Sequence, residues 1–428
     1  MRILFLTQLL PYPLNSGGKI KLFEFLKAVS SRHETCLVSF SRATDEPDWA
    51  CTVREVCRHI ETVPLRRSRL KDARCLAKSV VDGQSFIVSR DFSASMNSKV
   101  AAVLSGLHFD VVHAVRPNMF QYVPEGTDLY KVLDTENVES RIVQRLSRKS
   151  PFSPRSLVYL HESRKLEKYE VTACTAADLV LTVTDNDREE LVRLIQPRAR
   201  GSRSPKIEVV PIGVDTEYFS RSWKDERVAR CVFVGTMYWP PNVDSAIYFC
   251  EHILPLARKH IPELEFDIVG LRPAKAVLKL EKRIRGVRVF ASVDDVRPYM
   301  SESRVFVVPL RAGSGMRVKI LNAMAVGIPV VSTSVGCEGI AGLVPVKERA
   351  SESDNRDANI WIADSRQDFS RAVVTLMKDD ELARTLSRNG RKLMETAYDW
   401  SIIRRKIVSV YDEIEEEIER RRRSGAPR

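Results

Sequence analysis

No uninterrupted apolar run in this chain reaches the ~18 residues that a membrane-spanning helix needs, so no such helix is expected. The eight cysteines, at 36, 51, 57, 75, 174, 231, 250 and 337, include no CxxC pair, and several lie in apolar segments. That pattern fits free, mostly buried thiols and argues against a disulfide framework or a zinc site. The seven histidines show neither HExxH nor any other ligand spacing, so no metal site is expected. Aromatic residues make up only 7%, and no nucleic-acid-binding signature accompanies the basic charge, which argues against nucleic acid as a partner. No leader is expected either. The opening MRILFLTQLLPYPLNSGG is apolar only briefly, is interrupted by Gln8, runs into Pro11 and Pro13, and has no small-residue cleavage site. It reads as a buried first strand, and a cytoplasmic protein is expected.

What is present is a soluble globular composition, 44% hydrophobic and 29% charged over 428 residues, enough for two domains of Rossmann size. Residues 305–333, VFVVPLRAGSGMRVKILNAMAVGIPVVST, carry most of the information. An apolar run ends in a loop holding Gly313, Gly315, Arg317 and Lys319. A helical segment to Val326 follows, Gly327 closes it, and another strand begins at Val330. Strand, glycine-rich basic loop, helix and strand form a βαβ unit with anion-binding geometry. Helix-start N–H groups and the helix dipole favour negative charge, glycines let a ligand approach, and the cations add charge-assisted donors. A phosphate or diphosphate is the natural ligand.

Short β-rich runs alternate with helical patterns throughout, which predicts parallel sheets with crossover helices. Strands are expected over 2–7, 34–39, 111–114, 131–133, 179–183 and 207–210, then over 229–234, 265–269, 287–290, 305–308, 329–333 and 360–363. Helices are expected over 19–30, 98–106, 156–176, 187–194, 244–260, 294–301, 319–326, 367–378 and 380–397. A polar joint at 215–226 separates a first domain, 1–215, from a second, 226–400. A long charged helix over 401–421 has Ile402, Ile403, Ile407, Val410, Ile414 and Ile418 on one stripe, and is expected to return to the first domain. Two doubly wound domains facing a cleft would bind ligands at the carboxyl ends of their strands. The net charge of +12 concentrates in part at 66–78, where Leu70, Ala73, Ala77 and Val80 recur at helical spacing. The plainer reading packs that stripe on its own domain beneath a basic face. The sharper one is a peripheral contact with the inner membrane surface.

The motifs and their order resemble glycosyltransferase family 4, retaining nucleotide-sugar enzymes with the GT-B fold, and within it the exopolysaccharide sugar transferases. The resemblance rests on ILFLTQLLPYPLNSGGKIK at 3–21, FDVVHAVRP at 109–117, VLDTENVES at 132–140, VVPIGVDTEYF at 209–219, FVGTMYWPPNVDS at 233–245 and VGCEGI at 335–340. It implies that the second domain binds a nucleoside-diphosphate sugar, as substrate rather than cofactor, and that the first binds a saccharide or lipid-linked acceptor. It also implies that Gly235 and Thr236 approach the diphosphate and that Arg317 and Lys319 neutralise the leaving group. Gly17 and Gly18 would face the donor, and Gly313, Ser314, Gly315 and Asn322 would complete its site. Ser314 and Asn322 stand where the family commonly has glutamates, and in Leu133-Asp134-Thr135-Glu136-Asn137 the residue Glu136 replaces a donor-contacting histidine. His113 and Glu136 are the candidate catalytic residues of the first domain, and Glu139 with Arg141 reads as a surface pair. The rival functions are a non-catalytic nucleotide-sugar binder that regulates polysaccharide assembly, motivated by the missing glutamates and histidine, and a sugar-nucleotide epimerase.

Overall fold

The computed structural model describes residues 1–42, 45, 47–65, 67–148, 154–196, 204–220, 228–313, 315–348 and 352–424. The chain divides into two compact units, Met1–Pro211 with Arg404–Arg428, and Ile212–Ile403. Residues 215–220 of the expected joint belong to the second unit, which begins at Ile212, because Val214 just ahead of them is bridged to Asp399, the residue before the last helix. The Val214 N–H donates to the Tyr398 carbonyl at 2.8 Å, and its carbonyl accepts from the Trp400 N–H at 3.1 Å. Residues 221–226 lie outside the described residues.

The first unit holds seven parallel strands: β1 (Arg2–Thr7), β2 (Glu34–Ser41), β3 (His59–Pro64), β4 (Val111–Val115), β5 (Tyr130–Thr135), β6 (Leu179–Thr182) and β7 (Lys206–Val209). Their order is β3-β2-β1-β4-β5-β6-β7. The second unit holds six, β8 (Arg230–Val234), β9 (Glu265–Gly270), β10 (Val287–Ala291), β11 (Val305–Val308), β12 (Val330–Ser332) and β13 (Trp361–Ile362), in the order β10-β9-β8-β11-β12-β13. Each sheet therefore reverses its winding once, between β1 and β4 and between β8 and β11. Helices cover both faces of such a sheet, so the central strands are apolar without alternation. Ile3, Leu4, Phe5 and Leu6 of β1 and Val305 to Val308 of β11 are all fully buried.

Edge strand β3 escapes the sequence reading because HIETVP has no apolar run, and only its Val63 is buried. The helix expected over 244–260 starts earlier, as Pro240–Tyr248, with proline in its first turn. It then widens into a π-turn at Phe249–Ile253 before Leu254–Ala257. Pro255 explains the widening: it has no N–H to donate, and its ring would clash with a carbonyl one turn back. All eight cysteines are free thiols, six of them buried.

The helix Trp400–Ser424 begins in the second unit and continues in the first from Arg404. Ile407, Val410, Tyr411, Ile414 and Ile418 are buried there. Ion pairs flank the stripe, Arg404 to Glu24 at 2.6 Å and Arg32 to Asp412 at 3.0 Å. Arg421, the last residue of the expected helix, is docked: it pairs with Asp178 at 2.9 Å and lies over the Tyr130 ring at 4.9 Å. Residues 425–428 lie outside the described residues.

The helix Arg69–Asp82 corrects the expectation for the basic segment. Its inward face includes Cys75 and Ser79, whereas Leu70, Ala73 and Ala77 of the expected stripe are exposed; the side chain of Val80 lies outside those described. Cys75 donates weakly to the Ser89 carbonyl, and Lys165 donates to the Ser79 carbonyl and, at 3.1 Å, to its hydroxyl. Leu70, Ala73 and Ala77 point to solvent, with Leu70 62% exposed.

Candidate functional site

In an open parallel sheet the crevice for a ligand opens at the carboxyl ends of the strands that flank the reversal. In the second unit those strands are β8 and β11. Gly235 and Thr236 follow β8 directly, and the helix Pro240–Tyr248 returns Asn242 beneath them, its amide donating to the Thr236 carbonyl at 3.0 Å. The loop after β11 leads to the helix Val318–Val326, which Arg317 precedes as its N-cap residue. Lys319, in the first turn, reaches across the reversal. Its ammonium donates to the Asn242 Oδ1 at 2.8 Å and lies 4.3 Å from the centre of the Phe233 ring. A Cβ on residue 235 would come within 2.7 Å of that Nζ, so a side chain there would push the lysine from this position. Gly313 and Gly315 have φ of 141° and 76°, which bends the loop back under the Arg317 guanidinium. Arg317 donates to the Gly315 carbonyl at 2.7 Å.

Both cations are half-buried, and Lys319, expected in the loop, lies in the first turn of the helix. Burial, with the positive charge of Arg317 second, lowers Lys319 to about 7 from the ordinary lysine value. An anion set between the two cations and the helix N–H groups would reverse that balance, because it favours the ammonium over the amine. Asn322 is half-buried one turn further along the same helix. Ser314 lies outside the described residues. Tyr238 and Trp239, which follow Thr236, are 55% and 57% exposed and add two aromatic faces beside the loop.

The lowered lysine makes ligand binding depend on pH. The free protein loses the Lys319 proton as pH rises through about 7, and a bound diphosphate holds it to higher pH. Binding therefore takes up a proton above pH 7. Affinity for UDP, followed by calorimetry, is expected to fall by up to about tenfold per pH unit over pH 7 to 9. Lys319→Met removes the slope. A wild-type affinity that is flat across that range contradicts the assignment.

In the first unit the reversal lies between β1 and β4. Gly17 and Gly18 open the helix Gly17–Ser30 after β1. Glu136, just past β5, lies over that helix start, so close that a Cβ on residue 18 would sit 2.2 Å from its Oε1. Arg116, the residue after β4, donates to Glu136 Oε2 at 3.3 Å and to Gln8 Oε1 at 3.1 Å. One side chain thus spans the ends of three adjacent strands, β1, β4 and β5. Arg116 has φ of 79° and ψ of 147°, a conformation that side chains rarely adopt and that costs roughly 1–3 kcal/mol. Gln8 in turn donates to Asp91 at 2.7 Å, and Asn118 and Arg67 donate to the same carboxylate at 2.9 and 2.7 Å. Glu139 borders this network. Burial raises its carboxyl, Arg116 opposes the shift, and Glu136 adds to it. Arg141 does not pair with Glu139 as expected, but with Glu190 at 2.5 Å and Glu167 at 3.6 Å.

His113 is a correction. It sits in the middle of β4, two residues short of the strand end, and is fully buried. Its ring stacks on Phe5 at 4.7 Å, its Nδ1 meets the Tyr411 hydroxyl at 2.6 Å, and its Nε2 faces Asp134 at 3.8 Å. Burial lowers its affinity for a proton, and no surface remains for a substrate to touch. Asp134 is buried with Lys21, 2.5 Å away. Burial pushes the Asp134 carboxyl up, but Lys21 and His113 outweigh it and hold it below its ordinary value.

The sequence reading missed Arg116, Asn242 and Lys21. Arg116 has a signal, an arginine between a buried strand and Pro117. Lys21 has one too, a cation on the apolar stripe of Leu22, Phe25 and Val29. Nothing in the order of residues brings Asn242 beside Lys319.

Residues 229–379 match the family model described as Glycosyl transferases group 1. An uncharacterized 44.6 kDa protein in the cps region of Klebsiella pneumoniae is 21% identical over 91% of this chain and 94% of its own length. The amylovoran biosynthesis glycosyltransferase AmsK of Erwinia amylovora is 26% identical over 32% of this chain and 35% of its own length. Among solved structures, that of HepE from Anabaena in complex with UDP covers 96% of this chain and 100% of its own, with a TM-score of 0.66 and 13% identity. The two Rossmann-like sheets and these structural likenesses show the GT-B fold, and within it residues 229–379 match the group 1 glycosyl transferases.

Proposed function

We propose that the protein transfers a sugar from a nucleoside-diphosphate sugar to a saccharide or lipid-linked acceptor, with retention at the anomeric carbon, in the synthesis of an extracellular polysaccharide. One observation carries the reading: Arg317 and Lys319 stand together at the start of the helix Val318–Val326, beside the Gly235 turn, at the reversal of the sheet. Two cations held this close repel each other, and a diphosphate relieves the repulsion. As the bond from anomeric carbon to phosphate oxygen breaks, negative charge grows on the departing diphosphate, and the two side chains and the helix N–H groups offset it. The acceptor oxygen forms the new bond on the same face, and its proton passes to the leaving phosphate. Glu136, fixed by Arg116 at the strand ends of the first unit, is suited to accept hydrogen bonds from acceptor hydroxyls. The UDP held by HepE and the amylovoran assembly named for AmsK support the class of donor and of product.

The test is a thermal-shift panel of nucleoside-diphosphate sugars, followed by transfer assays with the donor that stabilises. A matched donor is expected to raise the melting temperature and to yield product or slow hydrolysis. Excess chelator is expected to leave the rate unchanged, because side chains supply the charge a divalent ion would otherwise bring. Loss of the rate with chelator and its return with a divalent ion would overturn that part. The neutral Asn322, where the family has a glutamate, favours a second reading, a nucleotide-sugar binder without transfer. Stabilisation with neither hydrolysis nor transfer would select it. Interconversion of donor sugars without acceptor would mark an epimerase.

A further inference from the structure

We infer that the helix Arg69–Asp82 is a docking face for an anionic lipid bilayer. The observation is its orientation. An amphipathic helix in a soluble domain turns its apolar stripe inward. Here Cys75 and Ser79 face the unit, and the apolar stripe faces solvent. Leu70 is 62% exposed and Val81 83%, with the exposed Ala73 and Ala77 on the same face, and Leu76, 45% exposed, lies further round beyond Arg69. Arg69 lies on one side of this stripe and Arg74 and Lys78 on the other. Neither Arg69 nor Arg74 has an acidic partner among the described residues. Lys78 meets only its own helix neighbour, Asp82, at 3.7 Å.

An apolar stripe with cations on both sides suits the plane of a membrane, with leucine and valine among the acyl chains and the cations at lipid phosphates. At 14 residues the helix is far too short to span a bilayer, and no described helix is long and apolar enough to do so. A second copy of this chain fits the face poorly. In a symmetric contact the cations of one copy would be brought against those of the other, and like charges would oppose the burial. Anionic lipid supplies the opposite sign. The inference does not depend on the donor site.

Vesicle co-sedimentation of the full chain tests it, using phosphatidylcholine with and without phosphatidylglycerol. Wild type is expected to pellet with the anionic vesicles and to be released by high salt. Arg69→Gln, Arg74→Gln and Lys78→Gln together should weaken binding by roughly a hundredfold at low salt. Leu70→Ser with Val81→Ser should weaken it by about tenfold or more. Both variants should keep the wild-type melting temperature, since the replaced side chains are exposed. Several results overturn the proposal: wild type that ignores anionic vesicles, equal binding to neutral ones, or unchanged binding by either variant. So does a lowered melting temperature in the serine variant, which would mean the stripe is packed. Concentration-dependent self-association that the serine variant abolishes, without vesicle binding, would assign the face to a second copy.

Discussion

Arg317→Ala and Lys319→Ala are each expected to lower turnover by about a hundredfold, or about 3 kcal/mol, while weakening donor binding less. The split follows from when the charge appears. A bound donor already carries a diphosphate, but its charge rises as the sugar departs, so stabilisation at that moment exceeds stabilisation in the ground state. Lys319 is suited to this work because its proton is loosely held in the empty site, and its ammonium sits 4.3 Å from an aromatic ring rather than in water. Its removal leaves the buried Asn242 Oδ1 without that donor, a cost of about 1–3 kcal/mol, which relief of the repulsion from Arg317 partly offsets. The melting temperature of the empty protein should therefore fall modestly in Lys319→Ala and change little in Arg317→Ala. Single-turnover rates at saturating donor, set beside affinities for UDP, make the comparison. Near wild-type turnover in both variants would move the phosphate site elsewhere or favour the binder without transfer.

Deleting residues 404–428 is expected to leave no soluble, cooperatively folding protein. The deletion uncovers the surface that Ile407, Val410, Tyr411, Ile414 and Ile418 fill. At roughly 1.5–3 kcal/mol for each large apolar side chain, the loss rivals the whole stability of a domain, about 5–15 kcal/mol. It also takes the Tyr411 hydroxyl from His113 and opens the buried Lys21–Asp134 pair to water. Tyr411→Phe isolates one part of this. It keeps the shape and leaves His113 Nδ1 without its partner, at about 1–3 kcal/mol, read from urea unfolding. Recovery of the 404–428 deletion as a soluble monomer with a sharp unfolding transition would refute the docking described above.

The class of fold was legible because parallel strands buried on both faces spell themselves as short apolar runs, as in Ile3 to Leu6 and Val305 to Val308. The anion loop was legible because glycines, cations and a helix start are adjacent in sequence. Edge strand β3 was not, since an exposed strand needs no apolar run. Burial decided the rest. His113 reads as a catalytic candidate in a list of residues, yet it is a core residue because Tyr411, 298 positions away, closes over it. Lys319 reads as a loop cation, yet Phe233 and Asn242 enclose it. The helix Arg69–Asp82 has the right period but the opposite facing, because periodicity gives a stripe and not its direction.

The helix Trp400–Ser424 has a consequence for the order of folding. Synthesis runs from residue 1, so β1 to β7 are made before the second unit and well before the helix that completes their packing. At about 5–20 residues per second, the first unit waits roughly 10–40 s for that helix. Through that interval its nascent sheet exposes the apolar groove destined for Ile407, Tyr411 and Ile414. The second unit, Ile212–Ile403, has all its strands in one continuous stretch and can close while the first is still open. The part made first is therefore finished last, and demand for chaperones during synthesis falls on the N-terminal half.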